Sequence, residues 1–321
     1  MKPPLPFDQF MARALHDPVN GYYARRITGV GRSGDFTTAP TLSPALGRAI
    51  ARWATAALRE TGCRHLIEIG PGEGVLAASV MRHLPWHRRW RTKLHLVETS
   101  APLEALQRKQ LGKLATWHKT PADALAACGG RAVIYSNELV DAFPVRRFKN
   151  TTDGWREMGV RFQPLEEVLL DPAPLPPSSS FGEPHSIGQQ IEIHDSYREW
   201  LAAWMPLWKA GRMLTIDYGD TAATLYHRRP HGTLRSYLFQ QRGEGLAIYE
   251  NAGRQDITAD VNFTDLIDWS KPWARCRALT TFREFILPFA DRNHPTDQQL
   301  VSEQGAGSAF QVLDQECERR G

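Results

Sequence analysis

The run Leu66-Ile67-Glu68-Ile69-Gly70-Pro71-Gly72-Glu73-Gly74-Val75-Leu76 constrains this chain more than any other stretch. An apolar, β-branched strand pattern runs into glycines at alternating positions, and a helical pattern follows at once. Strand, tight turn and helix in immediate succession make the opening unit of an α/β sheet. Glycine lets the backbone bend sharply and removes the Cβ that would hold a ligand away. The helix that follows turns its N-terminus and unpaired N–H groups toward the same point. The run therefore predicts a nucleotide-like cofactor site at the carboxyl end of the first strand of such a sheet. Taken alone, it also suits a tight turn with no ligand.

Spacing chooses between cofactors. The dinucleotide fingerprint is G-x-G-x-x-G. Here its last position holds Val75, the third glycine comes one residue early, and Glu68 stands two residues before the first. This E-x-G-x-G-x-G form resembles motif I of the Rossmann-like methyltransferases that use S-adenosylmethionine (SAM). Val75 disfavours a nicotinamide oxidoreductase. Residues 94–98, Leu-His-Leu-Val-Glu, alternate like a second strand and end on an acid. A carboxylate about twenty residues past the glycine turn can accept both ribose hydroxyls of an adenosine. Glu98 is assigned that role, against the plainer alternative of an exposed strand-end glutamate.

The bulk composition sets looser bounds. With 321 residues, 42% hydrophobic and 23% charged, the chain suits one large domain with insertions or two smaller ones. A net charge of +4 is too small to argue for a nucleic-acid partner, and the basic cluster His87-Arg88-Arg89-Trp90-Arg91 reads as a solvated helix end or loop. Cys63, Cys128, Cys276 and Cys317 lie far apart with no C-x-x-C pair, as reduced thiols of an intracellular protein would. His83 and His87 have Pro85 between them and no acidic partner nearby, so no metal site is expected. No apolar run approaches a membrane span, and the N-terminus lacks a signal pattern. A cytoplasmic protein is expected, or a mitochondrial-matrix one in a eukaryote.

Along the chain, residues 7–16 have helical spacing, with Phe7, Phe10, Met11 and Leu15 on one side. Residues 31–40 look like a polar loop, and 43–60 like a helix capped by Ser43 with Pro44 at its first position. A helix is expected near 74–84, a strand ending at Glu98, a helix at 102–111 and a buried strand at 131–136. The segment 155–170 alternates in two pieces around Pro164 and reads as a β-hairpin. The stretch 171–186, rich in proline and serine, should be an exposed loop. Residues 189–210 read as an amphipathic helix broken near Pro206, and 212–218 as a core strand. Alternation of strand and helix argues for a parallel sheet covered on both faces.

Several blocks coincide: Asp17-Pro18 with Gly21-Tyr22-Tyr23; Gly34 to Pro40 followed by Ser43; Glu68 to Gly74; Ser136-Asn137-Glu138-Leu139 with Asp141-Ala142 and Pro144-Val145; Asp217-Tyr218-Gly219; Gly232 to Tyr237; and Asp256 to Phe263. Together, and in this order, they resemble the MidA-like SAM-dependent methyltransferases over nearly the whole chain. The resemblance implies a Rossmann-like methyltransferase sheet with an N-terminal helical extension over 1–60 packed on a catalytic domain at 61–321. It also implies a β-hairpin insertion near 151–186 and a substrate-side insertion near 222–265. SAM is the implied cofactor and protein arginine the implied acceptor, with Asp35, Thr37 and Thr38 directed to the methionine end of the cofactor. The chain departs from the family at Gln240 and at Asp260, each where the family usually has a histidine.

The acidic block adds chemistry. Ser136 to Asp141 follows a core strand, and residues just past strand ends line the ligand crevice of an open sheet. Asn137 and Glu138 should therefore stand beside the cofactor's methyl group. Asp141, three residues on, shares their face if a helical turn starts there. Two carboxylates can hold a guanidinium bidentately and aim one nitrogen. Glu138 and Asp141 are the expected catalytic residues, with Glu68, Gly70, Gly72, Gly74, Glu98 and Asn137 on the cofactor. Asp256 and Asp260 have i, i+4 spacing and are expected to shape the substrate mouth, braced by Arg235 and Tyr237. The plainer alternatives are that Glu138 caps a helix, Asp141 makes a surface pair, and the second acidic pair lies on an exposed face. The function expected is protein arginine N-methylation. A small-molecule O- or N-methyltransferase and a SAM-binding assembly factor without turnover are the alternatives. A protein partner carrying the acceptor is expected, with neither nucleic acid nor membrane, and a homodimer is compatible with the sequence.

Overall fold

The computed structural model describes residues 3–25, 43–239, 241–291, 293–302 and 306–318. The expected polar loop at 31–40, with Asp35, Thr37 and Thr38, lies outside the described residues, as does Gln240. Two compact units emerge, neither continuous in sequence. One comprises Met1–Ile27, Val140–Trp200 and Tyr218–Asp268, and the other Thr28–Leu139, Leu201–Asp217 and Trp269–Gly321.

The second unit is built on a sheet with strand order Ala274–Thr281, Phe310–Cys317, Arg212–Asp220, Val133–Asn137, His65–Ile69, Lys93–Val97 and Ala115–His118; the Arg212–Asp220 strand belongs to this unit through Asp217. The last five are parallel, and the first two pair antiparallel. Val133–Asn137 is buried throughout, and His65–Ile69 and Lys93–Val97 at all but their first residues. Continuous burial is what a parallel sheet covered on both faces imposes. The helices Ala45–Thr61, Val75–His83 and Ala101–Leu111 lie close to the expected spans, and with Pro121–Ala127, for which no span was expected, they alternate with these strands. The first begins after Pro44, with Ser43 Oγ accepting the Ala45 N–H at 2.9 Å. The chain leaves His65–Ile69 toward Lys93–Val97 on one side and returns as Val133–Asn137 on the other. That reversal opens a crevice beyond the carboxyl ends of His65–Ile69 and Val133–Asn137, the place where open α/β sheets bind ligands.

In the first unit, helix Phe7–His16 buries Phe7, Phe10, Met11, Ala14 and Leu15, as its spacing predicts. The expected hairpin is present: Gly154–Phe162 pairs antiparallel with Leu165–Leu169 across Pro164. It belongs to an antiparallel sheet with Leu5–Pro6, Arg146–Thr151 and Gln190–Ile193. A second sheet has the order Gln241–Gly243, Arg235–Leu238, Asp256–Thr258.

Two expectations are corrected here. The segment 189–210 is not helical from its start: Gln190–Ile193 is a strand, the helix is Asp195–Trp204, and a short 3-10 turn spans Met205–Leu207. Ile191 pairs with Phe148 in the antiparallel register and both are buried, and so short an apolar alternation cannot be told from a helix face by spacing. The stretch 171–186 is not wholly exposed either. Ser180 is buried, Ser178 Oγ and the Ser179 N–H donate to Asp265 at 2.6 and 2.7 Å, and Asn262 donates to Ser180 Oγ at 2.9 Å. Composition alone does not show these partners, which lie about eighty residues away in the chain. No helix among the described residues is long and apolar enough to cross a membrane.

Candidate active site

The glycine turn divides its labour. Gly70, Gly72 and Gly74 have φ of +67°, +54° and +83°, a region that L side chains rarely adopt. A Cβ on Gly70 would lie 2.8 Å from Leu139 Cδ1, and one on Gly74 would lie 3.3 Å from Gln107 and Leu111. A Cβ on Gly72 would meet no atom of the described residues within 4 Å. The outer glycines are spent on the packing of the chain itself, whereas the middle one leaves open space. The Gly74 N–H donates to the Pro71 carbonyl at 2.8 Å and closes the turn, and Gly74 is the N-cap of helix Val75–His83.

Glu98 directly follows the neighbouring strand Lys93–Val97 and is buried. Its Oε1 accepts the Ser100 N–H at 2.7 Å and its Oε2 accepts the Gln107 amide at 3.0 Å. Burial raises its pKa above the ordinary glutamate range. The same Gln107 amide donates to the Gly72 carbonyl at 2.6 Å, and Gln107 Oε1 accepts Trp117 Nε1–H at 2.9 Å. Gln107 thus ties Glu98 to the open glycine. It was not among the expected site residues. Its signal in the sequence is a glutamine on the buried stripe Leu103, Gln107, Leu111 of an otherwise ordinary helix. Glu68 lies opposite Tyr135 in the parallel register and accepts its hydroxyl hydrogen at 2.8 Å. Burial pushes the Glu68 carboxyl up to about 8.

Asn137 closes the central strand. Its Nδ2 donates to Glu138 Oε1 at 2.9 Å, while its Oδ1 is buried without a partner among the described residues. Glu138 has φ +51°, left-handed backbone for a residue with a side chain, which costs about 1–2 kcal/mol. The conformation is held from both sides: the Glu138 N–H donates to the Ile216 carbonyl and the Leu139 N–H to Asp217 Oδ2, each at 3.0 Å. No helical turn begins at Glu138, contrary to the expectation that aligned it with Asp141. The chain instead makes a turn in which the Phe143 N–H meets the Val140 carbonyl at 3.0 Å. The left-handed residue breaks the helical path, so the spacing between the two acids does not put them on one helix face.

The remaining expected residues lie in the first unit. Asp256 and Asp260 do not form an i, i+4 pair on one face, because Asp256–Thr258 is a strand paired with Arg235–Leu238. Their carboxylates part. Asp256 Oδ1 accepts the Tyr23 hydroxyl at 3.0 Å and the Ile257 N–H at 3.0 Å. Asp260 forms ion pairs with Arg235 and Arg229. Arg235 also donates from Nε to the Tyr237 hydroxyl at 3.1 Å and lies over the Tyr218 ring at 5.0 Å. Asp141 is buried. Burial holds its carboxyl up at about 6, with Arg235 pulling down and Asp260 pushing up. Burial, reinforced by Asp141, pushes Asp256 up to about 8. Tyr23, which had no role assigned from the sequence, is the hydroxyl donor of this cluster.

A consequence for pH follows. A carboxyl that binds its proton more tightly in the folded state contributes stability that is complete below its unfolded value, near 3.8, and is lost as pH rises through about 8. The melting temperature is therefore expected to fall less between pH 5 and pH 8 in Asp256→Asn than in the native chain, by calorimetric scans at both values. An equal fall in both proteins would show that Asp256 is ionised throughout.

The chain matches the family model of S-adenosyl-L-methionine-dependent methyltransferases over residues 49–280. It is 25% identical over 319 residues to the mitochondrial protein arginine methyltransferase NDUFAF7 of Danio rerio, covering 88% of this chain and 72% of the relative. It is 26% identical to the human protein of that name over 302 residues, covering 82% and 65%. Among solved structures, a superfamily member from Burkholderia thailandensis bound to S-adenosyl-homocysteine aligns with a TM-score of 0.83 and 26% identity, over 99% of this chain and 89% of that one.

Proposed function

Because the chain belongs to the family of S-adenosyl-L-methionine-dependent methyltransferases, we propose that it carries the SAM methyl group to a protein arginine. The observation that carries this reading is Glu138, a carboxylate held in left-handed backbone at the end of the central strand, beside a crevice whose middle glycine is open. Strained non-glycine backbone persists where the surroundings over-determine it, and such positions cluster at functional sites.

The residues present fit the cofactor. Among the described residues, the space at Gly72 is open to a ligand against the backbone, and the buried Asn137 Oδ1 is an acceptor without a donor. In this proposal the Glu98 carboxylate, positioned by Gln107, takes the ribose hydroxyls. Gly70 and Gly74 shape the turn, and Glu68 braces the strand beneath it through Tyr135. Asp35, Thr37 and Thr38 are kept on the methionine side from the family resemblance. Bound SAM supplies an electrophilic methyl group on a sulfonium.

Glu138 holds the acceptor guanidinium by a charge-assisted pair and aims one nitrogen, so that alignment is its main contribution. It is also the group proposed to receive the proton that this nitrogen gives up. Asp141 is the second catalytic carboxylate of the proposal. Arg235, Tyr237, Asp256 and Asp260 are assigned to the acceptor side, with Tyr23 added as the partner of Asp256. The arginine acceptor is supported by the activity for which the NDUFAF7 relatives are named. A cytoplasmic or matrix location belongs to the same proposal, and the four free thiols suit a reducing compartment. Neither nucleic acid nor membrane is assigned as a partner, and a homodimer remains compatible.

Two measurements test this reading. Calorimetry is expected to show binding of SAM and S-adenosylhomocysteine and none of NAD; the reverse would overturn the cofactor assignment. Tritium from methyl-labelled SAM, added with the enzyme to a host lysate, is expected in protease-sensitive bands and in methylarginine after hydrolysis. Label confined to small molecules would overturn the protein acceptor while leaving methyl transfer intact.

A further inference from the structure

Three histidines form a diagonal across three neighbouring strands, and a cysteine stands beside them. His65 opens the strand His65–Ile69, His95 lies within Lys93–Val97, and His118 ends Ala115–His118. In the parallel register Ile67 pairs with His95 and Val97 with His118. Side chains two residues apart share a face, so all three rings lie on one side of the sheet. His65 Nδ1 is 2.9 Å from His95 Nε2, and His95 Nδ1 is 2.9 Å from His118 Nε2. Cys128 follows the helix Pro121–Ala127 as its C-cap and is buried. Among the described residues, the ligand atoms of His65, His95 and Cys128 all lie within 4.8 Å of one another. His65 marks the amino end of its strand, whereas the glycine turn follows the carboxyl end; at the other end of the diagonal the His118 carbonyl accepts the Glu98 N–H at 3.0 Å.

We propose that His65, His95 and Cys128 form a binding site for one Zn2+ ion, with His118 as the group that orients His95. A neutral imidazole carries a single N–H for its two nitrogens. When His95 donates from Nδ1 to His118, its Nε2 lone pair faces His65 Nδ1. A metal-ligating histidine needs that state, with one nitrogen free and the other N–H held by a partner. Zn–N of about 2.0–2.1 Å and Zn–S of about 2.3 Å place tetrahedral ligands roughly 3.3–3.7 Å apart. The two imidazole nitrogens must part by a few tenths of an ångström, and Cys128 lies within reach. Two imidazoles and a thiolate are a ligand set that suits zinc. His65 is half-buried and gives the ion a way in, and the fourth position is left for water.

Burial acts in opposite directions on the two ligands. Burial, with His65 and His118 adding to it, lowers His95 to about 4, so the ring is neutral at physiological pH and need not lose a proton to bind. Burial raises Cys128 to about 11, so the thiol keeps its proton until an ion displaces it to solvent as the Zn–S bond forms. The ion would join two strands of the sheet to the helix that ends at Cys128, and binding only the folded state would raise the melting temperature.

The test uses the full chain carrying Cys276→Ser, which removes the exposed thiol. The dialysed protein is titrated with Zn2+ against a chromophoric chelator, and with Co2+ in a parallel spectrum. One ion per chain, a thiolate-to-cobalt charge-transfer band and a higher melting temperature with Zn2+ are expected. Cys128→Ser is expected to abolish the band and weaken Zn2+ at least tenfold, while SAM affinity, which reports the fold, stays unchanged. Co2+ bound with no thiolate band, no zinc held against the chelator, or full affinity in a folded Cys128→Ser variant would each overturn the site. If Cys128→Ser fails to fold, the cobalt spectrum of the Cys276→Ser chain decides, before and after alkylation of the remaining thiols.

Discussion

Replacing Glu138 by glutamine is expected to lower turnover by roughly ten- to more than a hundredfold while leaving SAM affinity close to that of the native chain. Glutamine keeps the length and shape of the side chain and can still accept the Asn137 amide, now at 2.9 Å from Glu138 Oε1. What it removes is the negative charge. A charge-assisted hydrogen bond contributes about 1.5–3 kcal/mol, which sets the range of the effect. Hydrogen bonds from the Glu138 and Leu139 N–H groups to Ile216 and Asp217 survive the substitution, so the variant should keep the left-handed conformation. Single-turnover kinetics with a saturating cofactor, paired with calorimetry for SAM, separates the two quantities. Native turnover in Glu138→Gln would take this residue out of the mechanism. A parallel loss of SAM affinity and rate would move it to the cofactor side. Because a neutral amine or hydroxyl acceptor would also need a base here, the variant tests the site and not the acceptor.

Gly72→Val is expected to abolish measurable SAM binding in a chain that still folds. Two costs add at this position. Left-handed backbone costs an L residue about 1–2 kcal/mol, and more for a β-branched one. The side chain would then fill space at the turn that no described residue occupies. The first cost falls on stability and the second on binding. Gly62→Val separates them. Gly62 has φ +68° and a Cβ there would meet no described residue within 4 Å, but it caps helix Ala45–Thr61 before the strand begins, away from the turn. That variant should lose stability with SAM affinity intact. A folded Gly72→Val protein with native SAM affinity would show that the cofactor does not approach the turn at its middle glycine. Gly70→Ala is a weaker probe, since its Cβ would meet Leu139 at 2.8 Å and disturb packing before it touched a ligand.

The sequence by itself determined the elements around the glycine turn, because each rests on local properties of the chain. Apolar periodicity specifies the strands near 66, 94, 133 and 213, and alternating glycines mark a backbone that L side chains cannot follow. The structure shows these spans nearly as read. The hairpin around Pro164 was legible for the same reason. The failures began where a residue's surroundings come from elsewhere in the chain. Gln190–Ile193 is a strand because Arg146–Thr151 lies beside it, and a four-residue pattern holds no record of that neighbour. Asp256 and Asp260 looked like a pair by spacing, but strand geometry sends one to Tyr23 and the other to Arg235 and Arg229. Spacing would align Glu138 with Asp141 only if a helical turn started there, but bonds to Ile216 and Asp217, nearly eighty residues on, hold Glu138 left-handed. Gln107 became the link between Glu98 and Gly72 only when its helix packed beside the turn. The histidine diagonal likewise depends on strand order and register, since His65, His95 and Cys128 are about thirty residues apart from one to the next. Dihedral preference and hydrophobic period act within a turn or two of chain and can be read there. Hydrogen-bond partners, ion pairs and buried titrating groups are set by which strands become neighbours, and only the packed sheet decides that.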